Sequence, residues 1–441
     1  MNTAEHSGRT AHNRWLIAVM GTMLQLCLGT VYAWSVFKEP LKQACGWNNT
    51  QVQLTFSLAI CSLGLAAAWG GINLRKYRPN RLAMLGGALF GAGYLVGAAA
   101  LHFRNLPLLY AGYGIIGGAG LGLGYVTPVA TVAKWFPDKK GFVTGMVIMG
   151  FGFGALLMSK ALAPSLLTAF DGDLVVAFAL LGVMLGALSV IAASFLRNPP
   201  DGYVPVGYVP ASAAARVPDA VRGHPLARTE PAGPYLASGR FAMMWLMFFC
   251  NIAAGIAIIS FQSPLMQRVL GSTHPLLSKE ALAAYGATLV AVSSIFNGLG
   301  RFFWGAVSDR LGRVQTFRTM LATQIAAFVG LILTGNPWIL GALICYVLLC
   351  YGGGFGTMPS FVLDVFGQKM MAVVYGVILT AWSCAGVVGP LLVGGFEDRY
   401  GATTAARYSF IAGAAFLAVG LVLSLLMNNR PFTPRPRAEG A

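Results

Sequence analysis

An arginine lies inside an apolar stretch of the sequence, where a charged side chain is unfavourable unless it has a partner. Residues 296–313 read FNGLGRFFWGAVSDRLGR, and Arg301 follows Asn297 by four residues, which places both on one face of a helix. A guanidinium group carries its donors in a planar fork and can grip a carboxylate with two hydrogen bonds. We therefore predict that Arg301 binds a carboxylate, and that the amide of Asn297 bonds an oxygen of the same small anion.

Both residues also have structural interpretations. If the helix ended near Gly305, Arg301 could extend its head group to a membrane interface. If the helix runs to about Leu311, Arg301 lies about 15 Å inside it at 1.5 Å per residue. Asn297 could instead form a hydrogen bond to a neighbouring helix. A functional role is favoured for Arg301, because an unpaired charge in a bilayer costs several kcal/mol.

Other polar side chains in apolar runs are further candidates for an anion site. Hydroxyl groups and ring edges can bind an anion while ring faces hold its carbon chain. A single Tyr in a membrane helix is equally explained by packing or by anchoring at the interface, so both interpretations stay open. These candidates are Tyr32, Tyr125, Tyr351, Trp382 and Gln25.

The remaining charges inside apolar runs favour an anion as the ligand. Lys160 is expected near the outer surface, either extending to the interface or attracting anions to an electropositive vestibule. Of the 14 Asp and Glu residues, none lies deep inside an apolar run. Cation sites and proton relays usually place carboxylates in the membrane, so a cationic ligand is disfavoured. The sequence also predicts no metal site and no cofactor.

The elements that position these residues are membrane helices. Hydrophobic residues make up 56% of the 441 residues and charged residues only 10%, against about 25% in soluble domains. The apolar runs are long enough to cross a bilayer as helices. We predict an all-α membrane protein with twelve spans, at 15–37, 51–73, 82–102, 106–131, 141–166, 174–196, 241–267, 281–306, 314–334, 337–363, 370–396 and 404–427.

One long polar stretch divides the twelve spans into six plus six. It covers 197–240, is rich in Pro, Ala and Arg, contains GYVPVGYVP, and is typical of a flexible or extended linker. The predicted organisation is an N-terminal tail, a six-helix bundle, this linker, a second six-helix bundle and a C-terminal tail. Their limits are 1–14, 15–196, 197–240, 241–427 and 428–441.

The basic residues predict the orientation in the membrane. The net charge of +16 could suggest nucleic acid, but Lys and Arg lie in short loops between apolar runs. Alternate loops, the linker and both tails hold 21 of the 30 basic residues, and the other loops hold seven. Cytoplasmic loops carry such an excess, so we predict that both termini are cytoplasmic and that nucleic acid is not a partner.

The two halves resemble each other at matching positions. The second span ends in WGGINLRKYR (69–78) and the eighth in WGAVSDRLGR (304–313), while GLGYVTP (122–128) in the fourth parallels GFGTMP (354–359) in the tenth. Repeated halves around a central site are an architecture of secondary transporters. Gly-rich helices can also look alike by chance, but two pairs at matching positions favour two pseudo-symmetric bundles.

These features resemble the major facilitator superfamily. The stretch GAVSDRLGR (305–313) matches the loop signature of that family, and its first-half copy has Leu74 in place of the acid. By this resemblance Asp309, Arg310 and Arg313 would form charged contacts that latch an inward gate. The glycines of GGAGLGLG (117–124) and GFGFG (150–154) would let helices approach closely and slide.

Within that family the chain is similar to the branch of oxalate/formate antiporters and bacterial monocarboxylate transporters. The residues are RWLIAVMGTMLQLCLGTVYAWSVF (14–37), AKWFPDKKG (133–141), NGLGR (297–301) and YGVILTAW (375–382). The resemblance implies that the arginine of the eighth span anchors a carboxylate. The oxalate exchanger has a second cation in the eleventh span. Here 370–396 contains no Lys or Arg, which favours a monoanion over a dianion.

Three functional classes are compatible with a chain of this kind. A secondary carrier of lactate, pyruvate or formate, by proton symport or anion exchange in a bacterial inner membrane, is favoured; an oxalate/formate-type antiporter is the alternative. A sensor on the same fold would need a signalling domain, for which the linker and tail leave little room. An enzyme would need paired catalytic groups in the membrane, yet all five histidines lie in tails, loops or segment ends. The partners expected are lipid and small anions, with a monomer as the functional unit.

Overall fold

The computed structural model describes residues 13–74, 76–138, 140–200, 203–205 and 232–432. Within them are twelve helices long and apolar enough to cross a membrane, which we number α1 to α12. They are Arg14–Cys45, Asn49–Asn73, Pro79–His102, Leu106–Trp135, Phe142–Ala169, Leu174–Ser194, Gly239–Thr273, Lys279–Leu311, Arg313–Leu333, Pro337–Gly367, Val373–Tyr400 and Ala402–Leu426.

Polar residues in the short loops start and stop these helices. Asn48 caps α2 by accepting a hydrogen bond from the backbone N–H of Gln51, whose side chain accepts one from the backbone N–H of Asn48. Asp173 and Ser278 cap α6 and α8 in the same general way. Gly367 ends α10 with a φ of 76°, a left-handed conformation that favours glycine.

The twelve spans form two pseudo-symmetric bundles, as the sequence predicts. In the first bundle, α1 to α6, helix α3 packs along α6 and α2 along α4. In the second, α7 to α12, helix α9 packs along α12 and α8 along α10, which repeats the same arrangement. The bundles meet where α2 packs on α11 and α5 packs on α8. The predicted fold class is therefore confirmed.

Two faces of the molecule follow from the even number of spans. Since successive spans alternate in direction, α1 begins and α12 ends on one face, which we call the terminal face. We call the other the opposite face. Odd-numbered helices run from the terminal face to the opposite face, and even-numbered helices run back.

Three irregular turns interrupt the helices of the first bundle. Thr30–Ala33 in α1 is a tight 3-10 turn and contains Tyr32. Tyr110–Gly117 in α4 and Met158–Leu162 in α5 are wide π turns, and the second contains Lys160. Such turns in the middle of a helix are frequent at hinges and functional sites.

Some predicted segments lie wholly or largely outside the described residues. These are the tails at 1–12 and 433–441 and most of the linker, at 201–202 and 206–231. Parts of the linker that are described contact the bundles. The ring of Tyr203 packs against Trp135, with 4.9 Å between centroids, and Tyr235 packs against Phe366. The limits of the tails and the linker stay predictions.

The helix limits differ most from the sequence-based ones at the opposite face. Helix α1 continues to Cys45 where we predicted an end at 37, and α7 continues to Thr273 where we predicted 267. We placed each end before the first charged residue, Lys38 in α1 and Arg268 in α7. The helices continue past these residues because both charges pair with Glu397. One consequence corrects the interpretation of the acids, because Glu397 is buried within α11, at 7% exposure.

Candidate functional site

A cavity of about 470 Å³ separates the two bundles on the terminal side. It is lined by α2, α4 and α5 of the first bundle and by α8, α10 and Met371, just before α11, of the second. Along α8 its lining extends from Arg301 to Asp309, close to the end of the helix at the terminal face. The charged side chains in its lining are Arg301 at the inner end and Lys134 and Asp309 nearer the mouth. This volume suits a small ligand.

Arg301 crosses from α8 toward the other bundle. Its side chain is buried, with 1% exposure, and Nη1 donates a hydrogen bond to the backbone carbonyl of Ile148 in α5 at 3.0 Å. Nε and Nη2 have no hydrogen-bond partner among the described residues. These two donors lie side by side on one edge of the guanidinium, which is the edge that a carboxylate can grip bidentately.

The position of Arg301 also excludes the alternative that it extends to the interface. Helix α8 continues to Leu311, so Arg301 lies about 15 Å from that end at 1.5 Å per residue. Its guanidinium instead packs on two phenylalanine rings, with Cζ 4.9 Å from the centroid of Phe355 and 5.7 Å from that of Phe151. An arginine held this way faces protein and cavity, not lipid.

Four of the predicted aromatic residues form one cluster around these two phenylalanines. The cluster contains Tyr32, Tyr125, Tyr351 and Trp382 together with Phe151 and Phe355. The ring centroid of Trp382 lies 4.7 Å from that of Phe355 and 5.2 Å from that of Tyr125. The structure thus gathers these side chains around Arg301, whereas the cavity lining itself does not include them. Their role in binding stays a prediction.

A hydrogen bond across the bundles closes this aromatic cluster. The hydroxyls of Tyr32 in α1 and Tyr351 in α10 are 2.6 Å apart, and either can donate. Both side chains are buried. The hydroxyl of Tyr125 and the indole Nε1 of Trp382 have no partner among the described residues. Buried polar atoms of this kind are costly unless a ligand or water satisfies them.

Asn297 and Gln25 lie at the edge of this arrangement. Asn297 lines a small void next to Tyr32 and not the large cavity, and its Oδ1 has no partner among the described residues. The amide nitrogen of Gln25 donates to the backbone carbonyl of Tyr125 at 3.0 Å. Gln25 therefore helps to hold α4 against α1, whereas contact of either amide with a ligand stays a prediction.

The comparison with known proteins identifies the family. A model of the Major Facilitator Superfamily matches residues 17–390. The chain belongs to the major facilitator superfamily. It is therefore a multi-pass transporter with twelve spans.

Relatives of this facilitator include proteins named for small carboxylates. The oxalate:formate antiporter of Oxalobacter formigenes is 29% identical over 411 residues, which cover 91% of this chain and 90% of that protein. The apicoplast pyruvate carrier 1 of Toxoplasma gondii is 28% identical, with 81% and 79% covered. The crystal structure of a bacterial homolog of the human lysosomal transporter Spinster, inward-facing and unoccupied, is similar in fold at a TM-score of 0.65 and 17% identity, covering 95% of this chain and 97% of that one.

In this facilitator the two bundles are joined on the opposite face. The side chain of Gln53 in α2 donates to the backbone carbonyl of Ser260 in α7 at 2.9 Å. Near the same end, Asp398 in α11 accepts a hydrogen bond from the backbone N–H of Thr50 in α2 at 3.1 Å. Together with the cavity on the terminal side, these bonds describe a conformation closed at the opposite face.

The predicted gate residues lie at the terminal face and contact their own bundle. Arg313 forms ion pairs with Asp309 at 2.6 Å and with Asp364 at 3.0 Å, all within α8 to α10. Arg310 is exposed. Since the bundles are apart on this side, a latch between them would form only in another conformation, so the gating role stays a prediction.

Sequence reasoning missed two groups of residues. Phe151 lies in GFGFG, which we interpreted through its glycines, and Phe355 lies in GFGTMP, which we interpreted only as part of the internal repeat. Lys38, Arg268 and Glu397 form a buried ion cluster at the opposite face. Each of these three lies one position beyond the end of a predicted span. All three of those ends lie at the opposite face, and opposite charges at neighbouring span ends are the signal that could have predicted the cluster.

Proposed function

We propose that this facilitator is a secondary carrier of small monocarboxylates of the lactate, pyruvate or formate class, moved by alternating access. The observation that carries the proposal is Arg301, which lines the inner end of the cavity and whose buried Nε and Nη2 have no hydrogen-bond partner among the described residues. A carboxylate would satisfy both donors and neutralise the charge. The names of the relatives from Oxalobacter formigenes and Toxoplasma gondii support the same substrate class.

The charge inside the cavity favours a monoanion over a dianion. Arg301 is the charged side chain at its inner end, and the rings packed on its guanidinium, Phe151 and Phe355, offer no charge to a second carboxylate. Leaving one negative charge unpaired in such surroundings is costly. The oxalate:formate antiporter among the relatives keeps exchange of a dicarboxylate as the second candidate.

The membrane setting and the coupling are part of the same proposal. The excess of basic residues on one side supports cytoplasmic termini in a bacterial inner membrane. The cavity then faces the cytoplasm in this conformation. Transport would be coupled to protons or to a counter-anion, with the bundles rocking about Arg301.

Uptake into proteoliposomes that contain the purified wild-type protein tests this function. Radiolabelled lactate, pyruvate, formate and oxalate would each be offered with an inward proton gradient, with internal counter-anion, or with neither. We expect at least one monocarboxylate to enter faster than oxalate and to respond to one of the two driving forces. Oxalate uptake that exceeds uptake of every monocarboxylate would contradict the charge argument and favour the antiporter.

A further inference from the structure

A buried cluster of three charges joins the bundles at the opposite face. The carboxylate of Glu397 accepts a hydrogen bond from Lys38 Nζ at 2.5 Å and two from Arg268, from Nη1 and Nη2, at 3.0 Å each. The side chain of Lys38 is 0% exposed and that of Glu397 3%. Two cations share one carboxylate, so the cluster has an excess positive charge.

The three charges are divided unequally between the bundles. Arg268 in α7 and Glu397 in α11 belong to the second bundle, whereas Lys38 in α1 belongs to the first. When the bundles separate on this face, Arg268 and Glu397 move together as a neutral pair. Lys38 then loses its carboxylate and becomes a cation on the wall of the newly opened cavity.

A second lysine of the first bundle behaves in the same way. Lys160 in α5 donates from Nζ to the hydroxyl of Thr288 in α8 at 2.6 Å, which is also a bond between bundles. It lies in the wide turn Met158–Leu162. Separation at the opposite face would break this bond and leave Lys160 on the same wall as Lys38.

We propose that Lys38 and Lys160 form an entry site for carboxylates at the opposite face, and that Glu397 masks it in the closed conformation. The carboxylate of Glu397 lies where the carboxylate of an incoming ligand would bind Lys38. Lys38 is six residues from Tyr32 along α1, about 9 Å at 1.5 Å per residue, so the site leads toward the aromatic cluster. This inference rests on the proposed function, because it requires an anionic substrate.

An entry site and a simple latch give opposite results in variants of the same ion pair. Lys38→Met removes the cation, while Glu397→Gln breaks the same pair and keeps the cation. For an entry site, Lys38→Met raises KM and Glu397→Gln does not. For a latch alone, both changes remove the ion pair between the bundles, so KM shifts in the same direction in both.

The test is the initial rate of lactate or pyruvate uptake against concentration, from the opposite face and from the terminal face. Intact cells and inverted membrane vesicles present the two faces. We expect Lys38→Met to raise KM about threefold or more from the opposite face only, and to flatten the dependence of KM on salt. Lys160→Met, at an exposed residue, should shift KM in the same direction.

Two control variants complete the design. Lys38→Arg keeps the charge and should raise KM less than Lys38→Met does. Lys42→Met removes a lysine one turn further along α1 that pairs with Glu39 at 3.2 Å, and should also leave KM unchanged. Equal shifts in Lys38→Met and Glu397→Gln, or no shift in Lys38→Met, would overturn the entry site alone. A wild-type protein that moves no carboxylate would overturn the proposed function and this inference with it.

Discussion

At the scale of single residues, Arg301 supplies the charge at the inner end of the cavity. Arg301 uses Nη1 for the carbonyl of Ile148 and packs its plane on Phe355, which fixes its orientation before a ligand arrives. Preorganisation of this kind lowers the entropy that binding must overcome. Its depth in α8 was predictable, since a charge within an apolar run is visible in the sequence. The phenylalanine rings that pack on it were not predictable, because phenylalanine is common throughout membrane helices.

The hydrogen bond between Tyr32 and Tyr351 gives a prediction at the same scale. Each single change to Phe leaves a buried hydroxyl without its partner, which costs about 1–3 kcal/mol, whereas the double change removes both groups. We expect the double variant to lose less free energy of unfolding than the two single variants together, by about 1 kcal/mol. Unfolding of the four proteins in detergent measures this difference. Strictly additive losses would contradict the bond.

A matched substitution shows whether loss of any phenol hydroxyl has this effect. Tyr408 in α12 is 40% exposed, whereas Tyr32 and Tyr351 are buried. Tyr408→Phe should leave the free energy of unfolding unchanged within about 0.5 kcal/mol.

At the scale of helices, small residues set how closely the bundles approach. A Cβ on Gly152 of α5 would lie 2.5 Å from the Cα of Gly298 in α8, so the two backbones touch directly between the bundles. The sequence predicted close approach from GFGFG, but not which helix is the partner. Which helices touch across the bundles depends on tertiary packing, and the spacing of glycines along one helix does not reveal it.

Gly152→Ala should therefore force α5 and α8 apart and disturb the closed contact. We expect a loss of about 1–3 kcal/mol in the free energy of unfolding, as is typical of overpacking, together with slower transport. Gly395→Ala in α11 is the control, because its Cβ would meet nothing within 4 Å. Thermal unfolding and initial uptake rates of both variants measure the effect. Equal behaviour of the two variants would show that the α5–α8 contact does not matter.

The limits of the helices show where prediction from sequence reached its end. The number, order and direction of the twelve spans were predictable from apolar runs and loop charges. The ends of α1, α7 and α11 were not, because Lys38 and Arg268 pair with Glu397 only once the helices pack together. A charged residue that suggests a loop in the sequence can instead form an ion pair between helices in the fold.

At the scale of the whole molecule, the two bundles form a seal on one face and a cavity on the other. Arg301 lies between them, bonded from the second bundle to the backbone of the first. Rocking of the bundles would move the opening from the terminal face to the opposite face around this fixed point. Carriage of a carboxylate requires that Arg301 be reached from each side in turn.

The most direct test of the account is uptake of radiolabelled lactate and pyruvate by wild type, Arg301→Ala, Arg301→Lys and Arg407→Ala at equal amounts of folded protein. Hydrogen bonds to charged groups contribute about 1.5–3 kcal/mol each, so loss of the two bonds from Arg301 in Arg301→Ala should lower uptake by at least about 100-fold. Arg301→Lys keeps the charge without the fork and should be intermediate. Arg407 is exposed on α12, and its loss should have no effect. Uptake by Arg301→Ala at the wild-type rate would contradict the central role of Arg301.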